Sequence, residues 1–419
     1  MNNFTMNTYE MKRDLLNFSK KICEGVNHPT SKFVMDMQFG LAKSGSCLVS
    51  EIARALEEDI KLNYTIDRLC DHLANMNEQD SNIIWNHYLK EVKKNIDLDN
   101  PIVLFDDSDI NKEYSKKLED LDRVIDASSP EKRIVNGYHV CEATTLTKNE
   151  EQPLSIYSQI YSCKSKDFES KNKYTMDSIK AAENLVGDNF IGVFDRGYDD
   201  NKIIDYMSKH KFVMRLQDER VLLLKGKRRK VEEISQSRKG KIKMTALFDD
   251  NEEKELMISY TKAKLPYNKK EYTLVIVYGL SEEHPMKLLT NIENAEKEEV
   301  IKIVRMYLSR WRIEEHFRGK KQEYDFENMR VRTLKAMNNL NMLLTIHIGY
   351  IGMLVDKIDK KLLVIKIIEA SKSLRRKIIV WLSQMARGIK EILKNCHTGI
   401  KDWEEIEHKE KIQQLQLVL

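Results

Sequence analysis

Two short apolar runs, each cut off by an aspartate, constrain this chain more than any other feature of its sequence. Residues 101–105 (PIVLF) stop at Asp106, and residues 189–194 (NFIGVF) stop at Asp195. A run of this length with no polar alternation is that of a strand buried on both faces, as in a parallel sheet. Ligands of open α/β sheets gather at the carboxyl ends of strands, so two such aspartates can share one site although far apart in the chain. Taken singly, either acid does no more than begin a polar turn. Between and around the two runs, 137–146 (GYHVCEATTL), 154–162 (LSIYSQIYS) and 211–216 (KFVMRL) have strand character, while 175–185 and 201–209 have helical periodicity. Strands, helix, strand, helix, strand is the order of an α/β domain built on a mixed sheet.

The flanks differ in period. Residues 1–95 form a helical region. Within 46–76, Val49, Ile52, Ala53 and Leu56 share one helical face, and Ile66, Leu69, Cys70 and Leu73 repeat the pattern after a polar break. Two short helices so joined are either a helix-turn-helix reader of DNA or an ordinary helical pair. VLLL, KIKMTALF, KELMISYT and EYTLVIVY make a β-rich insertion at about 217–285 in a central domain of residues 96–340. A long helix is expected from about Glu293 through Lys321, and residues 341–419 form a helical C-terminal region. Gly and Pro number only 15 and 6 among 419 residues, which favours long regular elements over disorder.

The net charge of +4 conceals an asymmetry. Residues 101–204 hold 14 Lys/Arg against 20 Asp/Glu, whereas residues 301–400 hold 21 against 9. An acidic first half and a basic second half indicate a polyanion partner and a local cluster of carboxylates. The six cysteines contain no C-x-x-C pair, the usual mark of a zinc site, and fit free thiols in a reducing cytoplasm. The apolar stretch 342–355 is too short to span a bilayer and contains His347, so no membrane association is expected.

The sequence YLSRWRIEEHFRGKK carries a denser signal. At about 100° per residue, Tyr307, Arg310, Glu314, Arg318 and Lys321 fall within one stripe roughly 80° wide, provided the helix continues through Gly319. Apolar residues border that stripe, and Lys302, Arg305, Ser309, Arg312 and His316 supply a separate solvated face. A carboxylate aligned with three cations and a phenol suits a metal-bound phosphate: the acid holds Mg²⁺ and the cations hold phosphate oxygens. The plainer reading is an ion-pair ladder of Arg310, Glu314 and Arg318 at spacing i, i+4.

The spacing Tyr307, Arg310, Glu314, Lys321 resembles the Tyr/Arg/Glu/Lys signature of bacterial insertion-sequence transposases of the insertion sequence 4 group, an acidic-triad (DDE) family. Asp106-Asp107-Ser108-Asp109-Ile110 resembles the family's first-aspartate motif and Asp195-Arg196-Gly197-Tyr198 its second. The strand FVMRL with Arg215, and MKLLTNI at 286–292, resemble the strands after the second aspartate and before the glutamate helix. The resemblance, over about residues 40–345, implies a ribonuclease H-like catalytic domain interrupted by the β insertion. It implies that Asp106, Asp195 and Glu314 form the acidic triad, with Asp106 chosen over Asp107 and Asp109 because it follows the strand. It also implies that Tyr307, Arg310 and Lys321 contact transposon-end DNA and that a homodimer holds the paired ends; residues 1–95, with their helical pair, are expected to be an N-terminal DNA-binding region.

Hard cations fit such a site. Two Mg²⁺ ions, replaceable by Mn²⁺, shared among carboxylates stabilise both the attacking and the leaving oxygen of an in-line phosphodiester displacement. Double-stranded DNA, as transposon end and as target, is the expected partner. The basic run 225–230, with Lys227, Arg228 and Arg229, either grips its phosphates or is a solvated loop between strands. Lys372, Arg375, Arg376, Lys377, Arg387 and Lys390 make the helical tail basic without revealing its partner. Against a Mg-dependent transposase in a bacterial cytoplasm stand two other readings: an inactive transposase-derived DNA-binding protein, and a ribonuclease H-like host nuclease without strand transfer.

Overall fold

The computed structural model describes residues 3–403 apart from 127–130, 150–151, 248–252, 282–283, 294–295, 357–359, 373–380, 398 and 402. Five helices come first: α1 (Asn3–Ile22), α2 (His28–Ser44), α3 (Val49–Leu56), α4 (Leu62–Asn75) and α5 (Glu78–Lys94). Asn27 and Asn77 cap α2 and α5 by accepting the backbone N–H of Thr30 at 3.0 Å and of Asp80 at 2.7 Å. The pair expected within 46–76 is α3 and α4, and its Ile52, Leu56, Leu69 and Leu73 are buried.

The central sheet starts with β1 (Ile102–Asn111), β2 (Asp122–Ile125), β3 (Ile134–Leu146) and β4 (Pro153–Tyr161). Then follow α6 (Lys171–Val186), β5 (Ile191–Phe194), α7 (Asn201–Met207) and β6 (Lys211–Arg215). β1 lies antiparallel to β3, which carries β4 and the short β2 on its other side, and parallel to β5, which is parallel to β6. Leaving β2 aside, the spatial order β4, β3, β1, β5, β6, with crossover helices before β5 and β6, is the ribonuclease H-like arrangement. The fold class is therefore α/β, as the two apolar runs required.

One expectation about β1 is corrected. The strand does not end before Asp106 but runs on to Asn111, because β3 continues to pair with it as far as Asn111↔Gly137. What ends at Phe105 is the parallel ladder, whose last pair is Phe105↔Phe194. Asp106 thus sits where one neighbour has left and the strand's open side faces outward.

The β insertion comprises β7 (Val221–Leu224), β8 (Lys227–Lys230), α8 (Val231–Gln236), β9 (Ile242–Leu247), β10 (Glu253–Lys264) and β11 (Glu271–Tyr278), and β12 (Met286–Thr290) follows it. The central sheet continues through β12, which pairs antiparallel with β6, and the insertion extends it outward as β11, β10, β7 and β8, with β9 on the other part of β10. The basic run is a strand rather than a loop. Lys225 and Gly226, at φ 49° and 80°, turn β7 back into β8, as a two-residue hairpin requires. Every residue of β8 is exposed, and its charges suit an edge strand that must not pair with other chains.

Five helices close the described chain: α9 (Lys297–Leu308), α10 (Trp311–Glu323), α11 (Leu334–Val355), α12 (Lys361–Ala370) and α13 (Trp381–Leu393). α11 is buried along most of its length, packed between β4 and the helices α2, α4, α5 and α13. A helix apolar all round is a core helix in such a setting. Among the described residues, no helix is long and apolar enough to cross a membrane. Of the basic tail, Arg387 reaches Glu323 at 2.8 Å, while Arg375, Arg376 and Lys377 lie outside the described residues.

His347, fully buried in α11, lies 3.2 Å through Nδ1 from Gln38 Oε1. Burial pushes its imidazole down from 6.5 to about 3. The unfolded chain takes up a proton there as pH falls below 6.5 and the folded chain does not, so stability drops between those two values. At about pH 5 the penalty is about 2 kcal/mol. Urea titrations at neutral and at mildly acidic pH should therefore give a smaller acid-induced loss for His347→Gln than for the wild type.

Candidate active site

The helix that was to carry five functional side chains is two helices. A capping box of Glu296 and Glu299 starts α9, and a tight turn at Ser309–Arg310 separates it from α10. The turn is held by bonds spaced three residues apart, Arg310 N–H to Tyr307 O and Ile313 N–H to Arg310 O, each 3.0 Å. The break shifts the phase of everything after it. α10 does run through Gly319, where a Cβ would meet the Leu382 side chain of α13 and push it aside.

Around the turn the expected residues converge. Tyr307 Oη donates to Asp195 Oδ1 at 3.0 Å, and Arg310 Nη1 donates to Asp106 Oδ2 at 3.1 Å. The other Arg310 nitrogen, Nη2, bonds Glu314 Oε1, so one guanidinium bridges the first aspartate and the glutamate. Arg215 at the end of β6 brings Nη1 to 3.9 Å from Asp195 Oδ1. The Asp106 and Arg310 side chains are 17% and 14% exposed and Glu314 is 48% exposed, so the site is deep at the sheet and open toward the helix.

Electrostatics follow from that crowding. Burial, with Asp195, Glu314 and Asp107 nearby, pushes the Asp106 carboxyl up to about 7 despite Arg310. Burial also opposes the Arg310 charge, but Asp106, Tyr307, Asp195 and Glu314 more than offset it and hold its pKa above the ordinary value. Burial and the adjacent Asp195 raise the Tyr307 phenol to about 12, so it stays a donor to the aspartate.

Strand alternation separates the three acids of the first motif. Asp106 and Ser108 face the glutamate helix, whereas Asp107 and Asp109 face the other way, with Asp109 Oδ1 2.9 Å from His139 Nδ1. In the second motif Asp199 plays a structural part, accepting from Arg220 Nε at 2.7 Å and from the Gln217 N–H at 2.9 Å and so anchoring the entry to the β insertion. Beside Asp195, a cleft of about 600 Å³ is lined by Arg196, Arg215, Gln217, Asp218 and Lys287. Not every expected residue joins the cluster. Lys321 bonds Glu327 at 3.1 Å, Arg318 is exposed, and Lys227, Arg228 and Arg229 lie on the outermost strand of the sheet.

His316 corrects the expected solvated face, because it is buried, with Nε2 2.8 Å from Glu142 Oε1. Lys320 is buried too and donates to Glu142 Oε2 at 2.7 Å and to Thr345 Oγ1 at 3.0 Å. Ser158 donates to Glu142 at 3.2 Å and accepts from Asn341 at 2.8 Å. Burial alone would raise the Glu142 carboxyl, but Lys320 and His316 outweigh it and hold it at about 2. Asp106 pairs across strands with Glu142, and Glu142 with Ser158, so these three form one row beneath α10. Sequence reasoning missed this network; its trace was a glutamate inside the strand-like run 137–146.

Residues 97–348, more than half of the chain, match the family described as transposase DDE domain. The chain belongs to that family. Among solved structures, this DDE-family chain is similar to the piggyBac transposase in a cryo-EM synaptic complex with hairpin DNA. The identity is 10%, with 94% of this chain and 81% of that chain covered and a TM-score of 0.45. It is also similar to the NurA nuclease from Sulfolobus solfataricus, at 10% identity over 60% of this chain and 86% of that chain, with a TM-score of 0.26. No curated protein sequence matches.

In this transposase domain the buried ion pair holds the glutamate helix on the sheet. Lys320→Met or Glu142→Gln alone strands a buried charge and should cost about 3–5 kcal/mol by urea unfolding. The double variant Glu142→Gln/Lys320→Met should recover most of that loss.

Proposed function

We propose that this chain is a transposase of the insertion sequence 4 group, which binds the terminal inverted repeats of its own element, cuts DNA strands and joins the freed ends to a target. The observation that carries this reading is the meeting of Asp106, Asp195, Arg310 and Glu314 where the parallel ladder ends, in a chain whose family is that of transposase DDE domains.

The acids fit divalent metal ions. Their donors are all carboxylate oxygens, the kind Mg²⁺ and Mn²⁺ take. Three carboxylates meet around the single Arg310 guanidinium, whose Nε is buried with no hydrogen-bond partner, while burial first and the neighbouring acids second push the Asp106 carboxyl up. Asp106, Asp195 and Glu314 would hold two Mg²⁺ ions, which supply activation of a water or a 3′-hydroxyl and stabilisation of the leaving oxygen.

The chain's own residues do the rest. Tyr307 orients Asp195 through its hydroxyl. Arg310 and Arg215 stand beside the acids, where guanidinium groups bind phosphate oxygens in pairs. Arg318 and Lys321 extend the positive charge along α10, and the Lys227, Arg228 and Arg229 edge holds backbone phosphates further along the duplex. Residues 1–95 would add a DNA-binding region, residues 96–340 the catalytic domain, and residues 341–419 the helical end. A homodimer would pair the two transposon ends, in a bacterial cytoplasm beside the nucleoid.

Glu314→Gln should leave binding of inverted-repeat DNA within a few-fold of wild type while lowering Mg²⁺-dependent strand cleavage by about 10³-fold or more. Cleavage retained by that variant sinks the assignment of the glutamate. Failure of the wild type to nick any inverted-repeat end with Mg²⁺ or Mn²⁺ favours the inactive DNA-binding protein. Cleavage without joined products, when 3′-OH ends and target DNA are supplied, favours the host nuclease.

A further inference from the structure

On the α6 side of the sheet, opposite the row of Asp106, Glu142 and Ser158, three donors of different chemistry face one another. Asp122 comes from β2, His139 from β3 and Cys163 from the loop after β4. One ligand atom from each lies within 4.8 Å of the others. We propose that Asp122, His139 and Cys163 bind one Zn²⁺ ion, with Asp109 orienting the histidine from outside.

Register places the three together. Asp122 pairs across strands with Gly137, two residues before His139 and on the same face, and His139 pairs with Asp109 on one side and Tyr161 on the other. The loop after Tyr161 brings Cys163 back over β2, where its N–H donates to Asp122 Oδ2 at 2.7 Å. The Arg123 N–H donates to Asp122 Oδ1 at 2.8 Å, so both carboxylate oxygens are held in place.

The donor set is what selects zinc. Thiolate, imidazole and carboxylate together suit Zn²⁺, whereas Mg²⁺ takes oxygen alone. His139 is oriented as zinc-binding histidines are: Nδ1 is 2.9 Å from Asp109 Oδ1, and Nε2 faces Asp122 Oδ2 at 3.9 Å. Ligand atoms of a tetrahedral zinc site lie about 3.3–3.8 Å apart, so small side-chain rotations close this one. Tyr161 stacks on the His139 ring at 5.3 Å and Tyr174 on Tyr161 at 4.0 Å, walling one side.

Binding displaces the Cys163 thiol proton to solvent and forms the sulfur–zinc bond. One thiolate and one carboxylate then balance the ion's charge, and water takes the fourth position. Because the thiol must give up its proton to bind the ion, zinc should bind more tightly as pH rises. Sequence spacing gave no hint of this site, because its ligands come from three separate segments.

The test uses the full chain in excess Mg²⁺, which fills oxygen-only sites, titrated with Co²⁺ and then Zn²⁺. The wild type should take up one Co²⁺ with a thiolate-to-cobalt charge-transfer band that Zn²⁺ abolishes, and Zn²⁺ should raise its melting temperature. Cys163→Ser should lose the band, and His139→Gln should weaken binding at least as much as Asp109→Asn. Asp109→Asn keeps all three ligands and should weaken binding about 10- to 100-fold, which holds the test open even if a ligand variant fails to fold. Glu314→Gln should bind Co²⁺ as the wild type does. Absence of the band in the wild type, its persistence in Cys163→Ser, or unchanged affinity in both His139→Gln and Asp109→Asn overturns the proposal.

Discussion

The buried contact between Glu142 and Lys320 is the interaction on which the geometry of the acidic site rests. It joins the strand beside Asp106 to the helix that carries Glu314, and both partners are fully shielded from water. A charge pair in such a place contributes little net stability compared with apolar residues of equal size. What it supplies is register. Lys320 finds compensation only where Glu142, Asn341 and Thr345 meet, so α10 cannot slide or rotate on the sheet without stranding an ammonium group. Glu314, on the other side of α10, is held opposite Asp106 as a result.

That division of α10 explains why the sequence was partly legible. Each apolar run ending on an aspartate did lie in the sheet, and the order of strands and helices was readable because buried parallel strands and amphipathic helices leave different periods. Tyr307, Arg310 and Glu314 were also legible from spacing, and they do converge with Asp106 and Asp195. The errors share one cause. Helical phase was carried straight through Ser309 and Arg310, where the chain tightens into a turn, so His316 was placed on the solvated face of α9. No local pattern marks a turn made of ordinary helix-forming residues. The extension of β1 past Asp106 was hidden for a similar reason, since its partner β3 lies far along the chain and polar residues in a strand resemble a loop.

The pleat of β1 gives neighbouring residues unrelated surroundings. Asp106 meets Arg310 on one face, and Asp109 meets His139 on the other. An acidic motif read as a unit therefore divides into two chemical environments, one made of carboxylates and guanidinium groups and one containing imidazole and thiol. Hard and soft donors are kept apart by the thickness of a single strand. Such separation matters in a chain with both, because a thiolate or imidazole among Asp106, Asp195 and Glu314 would favour transition metals over Mg²⁺.

Arg310 shows how the charge asymmetry of the sequence is resolved in space. The acidic half supplies Asp106 and Asp195, the basic half supplies Arg310 and Arg215, and the two meet within one site. The Arg310 terminal nitrogens reach Asp106 and Glu314, and its Nε is left without a partner. A guanidinium so placed pairs with the acids in the free chain, while burial first and the neighbouring acids second push the Asp106 carboxyl up to about 7. In the proposed function the three acids take cations, while the arginines beside them take phosphate. On the reading proposed above, Arg310 serves two partners in turn, carboxylates in the chain alone and phosphate oxygens once DNA lies across the acids. Its position at the turn between α9 and α10, rather than in the middle of a rigid helix, suits a side chain with two partners.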